Sequence, residues 1–253
     1  MSEHTIRNIV KKKIKACSLA KSKRFLLTDR LWSLRLERCK RILAMMKKRL
    51  PVILFTDEKY FSVDQVCNSP SDRYITKLRV QDVPDKVRTV NQTKHPSQLL
   101  MFGRKMPPVF LEKGFRMGAK GYLDRVLKPH ILPWIQQNFQ DQSELIFMQD
   151  GAPCHTSKLV QEWLSENLNF WPKEVWPPSS PDLNPLDFSI WAYVQAKACK
   201  VQHPNLDALQ LSVSKVWNDM TEVFIRSTCS TFRPRIEAVI KAAEGGYIDQ
   251  QES

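Results

Sequence analysis

The chain has 253 residues, enough for one large domain with a small appendage, and its 42% hydrophobic content and seven Trp are those of a folded protein. No run of 18 apolar residues occurs, and Met1–Lys13 has no apolar stretch behind its charges, so neither a membrane-spanning helix nor a secretory signal is expected. The net charge of +13 is concentrated: residues 1–50 hold 16 Lys and Arg against Glu3, Asp29 and Glu37, while the remainder balances at 23 basic and 23 acidic residues. A one-sided basic segment is the footprint of a polyanion binder, most often of nucleic acid, with a merely solvated basic face as the plainer alternative. The six cysteines form no Cys-x-x-Cys pair and do not cluster. They read as reduced thiols of a cytosolic or nuclear protein, and Cys154 reads as a small packed residue rather than a nucleophile.

In chain order, Ile6, Ile9, Val10 and Ile14 recur at helical spacing, and a basic stretch from Lys15 to Arg24 follows. A second helix is expected from Thr28-Asp29 to just before Pro51, with Leu31, Leu34, Ile42 and Met46 facing inward and Lys47-Lys48-Arg49 at its C-terminus. The apolar run Val52–Phe55 predicts a buried strand, with Tyr60–Val63 as its hairpin partner. The polar stretch from Asn68 to His95 carries no pattern. Further strands are expected over Gln98–Gly103, Val109–Leu111 and Leu145–Met148. A helical region over Tyr122–Phe139 should be kinked or restarted by Pro129 and Pro133. Ser157–Leu168 predicts an amphipathic helix with Leu159, Val160, Trp163 and Leu164 on one side. A proline-rich loop over Trp176–Pro185 precedes a helix from Asp187 to about Cys199, and helices over Leu206–Met220 and Thr221–Ala243 close the chain. Strands first and helices later give a mixed α/β sheet flanked by helices.

Three acidic residues stand in unusual places. Asp57 follows the strand at Val52–Phe55, Asp150 follows Leu145–Met148, and Asp187 opens a helix. A carboxylate at the end of a buried strand is costly without something to neutralise it. Converging carboxylates form an oxygen-rich site suited to Mg²⁺ or Mn²⁺, which can support two-metal phosphoryl transfer. Each residue also has a plain reading: Asp187 as a helix cap, and Asp57 and Asp150 as turn residues, the latter beside Gly151.

The surrounding words narrow the choice. Phe55-Thr-Asp-Glu-Lys-Tyr-Phe-Ser-Val63, Gln149-Asp-Gly-Ala-Pro-Cys-His-Thr-Ser157 and Trp176-Pro-Pro-Ser-Ser-Pro-Asp-Leu-Asn-Pro-Leu-Asp187 closely resemble, in this order, the three catalytic blocks of mariner-like (mariner/Tc superfamily) DNA transposases. Leu127-Lys-Pro129 fits the same pattern, as do the 36 residues between Asp150 and Asp187, and the resemblance covers about residues 50–240. It implies an RNase H-like fold with Asp57, Asp150 and Asp187 as a catalytic, metal-binding triad holding two Mg²⁺ or Mn²⁺ ions. Asp182 matches a structural loop position, Glu58 would support the site at most, and His155 and Ser157 would touch DNA phosphate or order their loop. The implied organisation is a partial helix-turn-helix remnant (1–25), a linker helix (26–50) and a catalytic domain (51–245), as in a member truncated at its N-terminus. DNA phosphate contacts would come from Arg7, Lys11, Lys12, Lys13, Lys21, Lys23, Arg24, Lys47, Lys48, Arg49 and His155. The implied activity is cleavage and strand transfer of double-stranded DNA, at transposon ends and target, in the nucleus, by a chain with a tendency to form homodimers. The competing readings are a catalytically silent, transposon-derived DNA-binding protein and a stand-alone nuclease that cuts without joining.

Overall fold

The computed structural model describes residues 27–48, 52–63, 94–102, 104–112, 115–143 and 145–242. The expected first helix, the basic stretch 15–24 and nearly all of the polar stretch 68–95 lie outside them.

Helix α1 (Asp29–Lys48) starts where the Thr28 hydroxyl accepts the Leu31 amide at 3.4 Å. Its inward stripe is Arg35, Cys39, Ile42 and Met46, spaced by four, three and four residues, and all four are buried. Leu31 and Leu34, expected on that stripe, are only half-buried, because an arginine and a cysteine occupy the inner positions instead.

Strand β1 (Val52–Ser62) is a single strand of 11 residues. The hairpin expected between Phe55 and Tyr60 does not exist. Thr-Asp-Glu-Lys has the composition of a turn, but it stays extended because antiparallel pairing to β2 (Lys94–Phe102) continues through it, with Asp57 opposite Leu99 and Glu58 opposite Gln98. β2 turns back into β3 (Arg104–Lys105), pairing Met101 with Lys105 and Phe102 with Arg104, and also pairs with β4 (Val109–Phe110). β5 (Leu145–Met148) joins the other side of β1 in parallel, so the order is β3-β2-β1-β5, with β4 also against β2. Residues 169–171 cover the outer side of β5: the Phe147 amide donates to Asn169 O at 2.9 Å and the Trp171 amide to Phe147 O at 3.0 Å.

The period-two alternation of β1 divides the core. Ile53, Phe55, Phe61 and Val63 pack with α1 and the C-terminal helices, while Leu54 packs with Tyr122, Leu127, Phe147 and Leu164 on the opposite face. Each fully buried Leu or Phe here contributes roughly 1.5–3 kcal/mol. The second face is covered by α2 (Ala119–Tyr122), a π-helical stretch Leu123–Ile131, and α3 (Leu132–Asn138). Pro129 lies inside the π-helical stretch and Pro133 in the first turn of α3, so the chain widens its turn where sequence reading expected a break. After the short helix α4 (Pro153–Thr156), α5 (Lys158–Asn167) buries Val160 and Leu164, whereas Leu159 is 47% exposed and does not belong to its inner face. The first face carries a π-helical turn Leu186–Ile190 that runs into α6 (Trp191–Ala198), then α7 (Leu206–Asp219), α8 (Glu222–Ser230) and α9 (Phe232–Lys241). The single last helix expected from sequence is two, separated at Thr231, and Pro234 falls in the first turn of α9, where its missing N–H costs little.

Candidate active site

Parallel pairing sets Phe55 beside Met148 as the last pair of β1 and β5. Asp57 and Asp150 each lie two residues beyond that pair, Asp57 in the middle of β1 and Asp150 just past the end of β5. The Thr56 hydroxyl reinforces the junction by donating to Met148 O at 2.8 Å. Asp187 approaches from the first face, in the first turn of the π-helical segment. Pro185 rather than Asp187 takes the cap position, so the simple helix-cap reading of Asp187 does not hold. Buried Asn184 places this helix start against the strand: its side-chain oxygen accepts the Leu186 amide at 3.2 Å and its amide group donates to Thr56 O at 3.4 Å.

Asp57 and Asp150 are each gripped by a neighbour. Trp191 Nε1 donates to Asp57 Oδ2 at 2.6 Å. Asp150 Oδ1 accepts the Ala152 amide at 2.9 Å and lies 2.6 Å from His155 Nδ1. The other ring nitrogen of His155 lies 2.9 Å from Glu58 Oε1. Glu58 follows Asp57 in the strand and so projects from the opposite face, where the His155 ring also packs on Tyr122 with centroids 4.6 Å apart. The Tyr122 hydroxyl accepts from Gln149 Nε2 at 3.1 Å.

The charge states follow from this geometry. Burial first, and the nearby Asp187 charge second, push Asp57 up to about 9, although the Trp191 hydrogen bond opposes the rise. Asp187 is raised to about 6, chiefly by burial, against a hydrogen bond shared with Asp57. Burial would depress His155, but Tyr122, Glu58 and the Asp150 hydrogen bond hold it well above its ordinary range, so the ring donates to both carboxylates as an imidazolium. Asp150 is lowered: burial opposes ionisation, and the His155 contact overrides it. Among the described residues no Lys or Arg forms an ion pair with Asp57 or Asp187, though the Lys59 charge acts to lower Asp187. An all-oxygen donor set of this kind suits a hard divalent ion. As they stand, no three His, Cys, Asp or Glu side chains among the described residues converge tightly enough to enclose one. Trp191 holds one oxygen of Asp57, and His155 holds one oxygen of Asp150.

Other expected site residues fall elsewhere. His155 is 1% exposed with both ring nitrogens engaged, so it orders the loop and is not available to a DNA phosphate. Ser157 caps α5, its hydroxyl accepting the Val160 amide at 3.4 Å. Asp182 is held by Arg35 at 2.5 Å, away from the triad. Cys154 is a half-buried free thiol. Lys47 is exposed at the end of α1, and the backbone of Lys48 ends the same helix. Arg7, Lys11, Lys12, Lys13, Lys21, Lys23, Arg24 and Arg49 lie outside the described residues. Sequence reading missed Trp191, Asn184, Tyr122 and Gln149. Trp191 alone had a local signal, sitting one helical turn after Asp187 on the face of that residue.

Residues 52–210 match the family model of the DDE superfamily endonucleases. The chain belongs to this family. A curated relative, the transposable element Tcb2 transposase of Caenorhabditis briggsae, is 28% identical over 121 residues, which cover 46% of this chain and 41% of that protein. Among solved structures, the Mos1 transposase paired-end complex with left transposon end superposes with a TM-score of 0.78 at 18% identity, covering 98% of this chain and 72% of that one. The mariner Mos1 paired end complex with Mg gives a TM-score of 0.76 at 20% identity, with the same coverage. At such identities the likeness is one of fold. The sheet of this DDE-family chain, with its parallel β1–β5 pair and helices on both faces, is RNase H-like.

Proposed function

We propose that this DDE-family chain is the catalytic part of a mariner-like DNA transposase, cutting DNA and joining the freed end to a new strand, with its site of action in the nucleus. The observation that carries the reading is that Asp57, Asp150 and Asp187 come close where β5 ends beside β1, with burial raising Asp57 to about 9 and Asp187 to about 6. Membership of an endonuclease family and the fold shared with the Mos1 complexes support it. Asp57, Asp150 and Asp187 would hold two divalent ions, Mg²⁺ or Mn²⁺. When bound, such ions activate an attacking oxygen and stabilise the leaving one.

The protein's own part is positional and electrostatic. Strand pairing fixes Asp57 relative to Asp150, Asn184 seats the helix that delivers Asp187, and the His155 imidazolium keeps Asp150 ionised and tied to Glu58. Double-stranded DNA is the proposed substrate, at transposon ends and at the target. The basic segment 1–50 would supply mostly sequence-independent phosphate contacts, and pairing of two copies would bring two ends together. Nicking and intermolecular joining of plasmid DNA with Mn²⁺ at low salt test the reading. Joining as well as cutting is expected. Cutting without joining would indicate a stand-alone nuclease, and DNA binding with neither would indicate a silent binding protein.

A further inference from the structure

The segment that delivers Asp187 is held from behind by two arginines, and neither lies within the family-matched stretch 52–210. Arg35, on α1, is fully buried. Its Nη2 meets Asp182 Oδ2 at 2.5 Å, and its Nη1 donates to the Ser180 hydroxyl and, at 3.4 Å, to Ser179 O. Arg235, on α9, is also buried: its Nη1 donates to Asp182 O at 3.1 Å and its guanidinium lies 3.8 Å over the Phe188 ring. Phe188 is the residue next to Asp187. Arg38, one turn after Arg35, donates to Trp176 O at 2.7 Å and to Lys173 O at 3.2 Å. Ser179 takes φ 49°, in the left-handed region, a conformation that costs a non-glycine residue about 1–3 kcal/mol and persists only where surroundings impose it.

We infer that Arg35 and Arg235 are positioning residues for the metal site, a two-arginine clamp that fixes the 176–188 segment and so sets where the Asp187 carboxylate stands. The inference rests on the proposed metal-dependent function. A buried ion pair is weak evidence for stability, since apolar replacements of both partners often fold as well. What it provides is a specific geometry. Arg35 holds the Asp182 carboxylate, Arg235 holds the Asp182 carbonyl and the ring beside Asp187, and neither role can be filled by an apolar side chain. The clamp also makes α1, which connects the basic N-terminal segment to β1, part of the support of the site: a shift of α1 along its axis would carry Asp182 with it.

The test is Mn²⁺ alone, without DNA, titrated into the full chain and followed by the electron paramagnetic resonance of free Mn²⁺, with thermal melting beside it. The variants are Arg235→Lys, which keeps the charge and loses the planar stack, and the paired Arg35→Met with Asp182→Leu, which removes the ion pair as a whole together with the Asp182 charge that supports Arg235. Expected is a rise in half-saturating Mn²⁺ of about tenfold in each variant, with the metal-free melting of Arg235→Lys close to that of the parent. Folded variants that take up Mn²⁺ like the parent would overturn the clamp. Should the paired variant not fold, Arg235→Lys decides alone. A parent chain that takes up no Mn²⁺, or takes it up equally as Asp150→Asn, overturns the metal-site reading itself and the clamp with it.

Discussion

At the scale of single residues, the site is a set of carboxylates whose protonation is coupled to stability. Asp57 has an ordinary value of 3.8 and is raised to about 9 in the folded chain. Its neutral form is therefore the one the fold prefers. Its contribution to stability is fully present below about pH 4 and is lost as the pH rises towards 9. The metal-free chain should melt at progressively lower temperature across that window, and Asp57→Asn should flatten the slope. Melting curves between pH 5 and 9 check this, and equal slopes in parent and variant would count against a carboxyl held neutral. Mn²⁺ should restore melting temperature most at the alkaline end, where proton and metal no longer compete. His155 makes a separate claim. Removing its buried ring takes away the hydrogen bonds it makes to the partly exposed Asp150 and Glu58 carboxylates, so His155→Ala should destabilise the fold by about 1–3 kcal/mol. Denaturant unfolding reads that directly, and a cost below 1 kcal/mol would mean that the buried network is slack.

At the scale of elements, what matters is which face each strand and helix presents. The alternation of β1 sends Asp57 towards Trp191 and Glu58 towards His155, so one short polar word serves both sides of the sheet. Reading that word as a turn was reasonable on composition and wrong in space, because strand pairing across to β2 is a long-range fact that no local pattern carries. The same limit explains α1 and α5. Apolar spacing located both helices, but Arg35 is buried because Asp182, 147 residues away, meets it, and Leu159 is 47% exposed because no described residue packs over it closely. Leu159→Ala should accordingly change stability by no more than about 0.5 kcal/mol, whereas Leu164→Ala, five residues further along α5 and on its inner face, should cost about 2–5 kcal/mol. Denaturant unfolding of the two variants separates the faces, and similar costs would contradict the orientation of the helix.

At the scale of the whole molecule, the sequence made the RNase H-like fold legible through contiguous words whose order and spacing identify the family, and the proposal for the three aspartates rests on the same words. The grip on those aspartates was not legible. Trp191, Asn184, Tyr122, Arg35 and Arg235 each act across the tertiary structure, on partners set by sheet register and helix packing rather than by neighbours in the chain. The strongly basic residues 1–50 precede a charge-balanced remainder in the sequence, and α1 lies within that basic segment. If that basic segment grips DNA mainly through phosphates, affinity should fall steeply with salt and depend little on sequence. Binding titrations between 50 and 200 mM salt on unrelated duplexes would show it, and a salt-insensitive, sequence-selective affinity would contradict it.

The most direct test of the central claim is nicking of supercoiled plasmid in Mn²⁺ at low salt by the intact chain and by Asp150→Asn. The account predicts cleavage by the intact chain and a loss of at least about a hundredfold in the variant (roughly 2.7 kcal/mol of barrier), with DNA binding unchanged. If both proteins bind DNA alike and cut alike, or neither cuts at all, the three aspartates are not a working metal site.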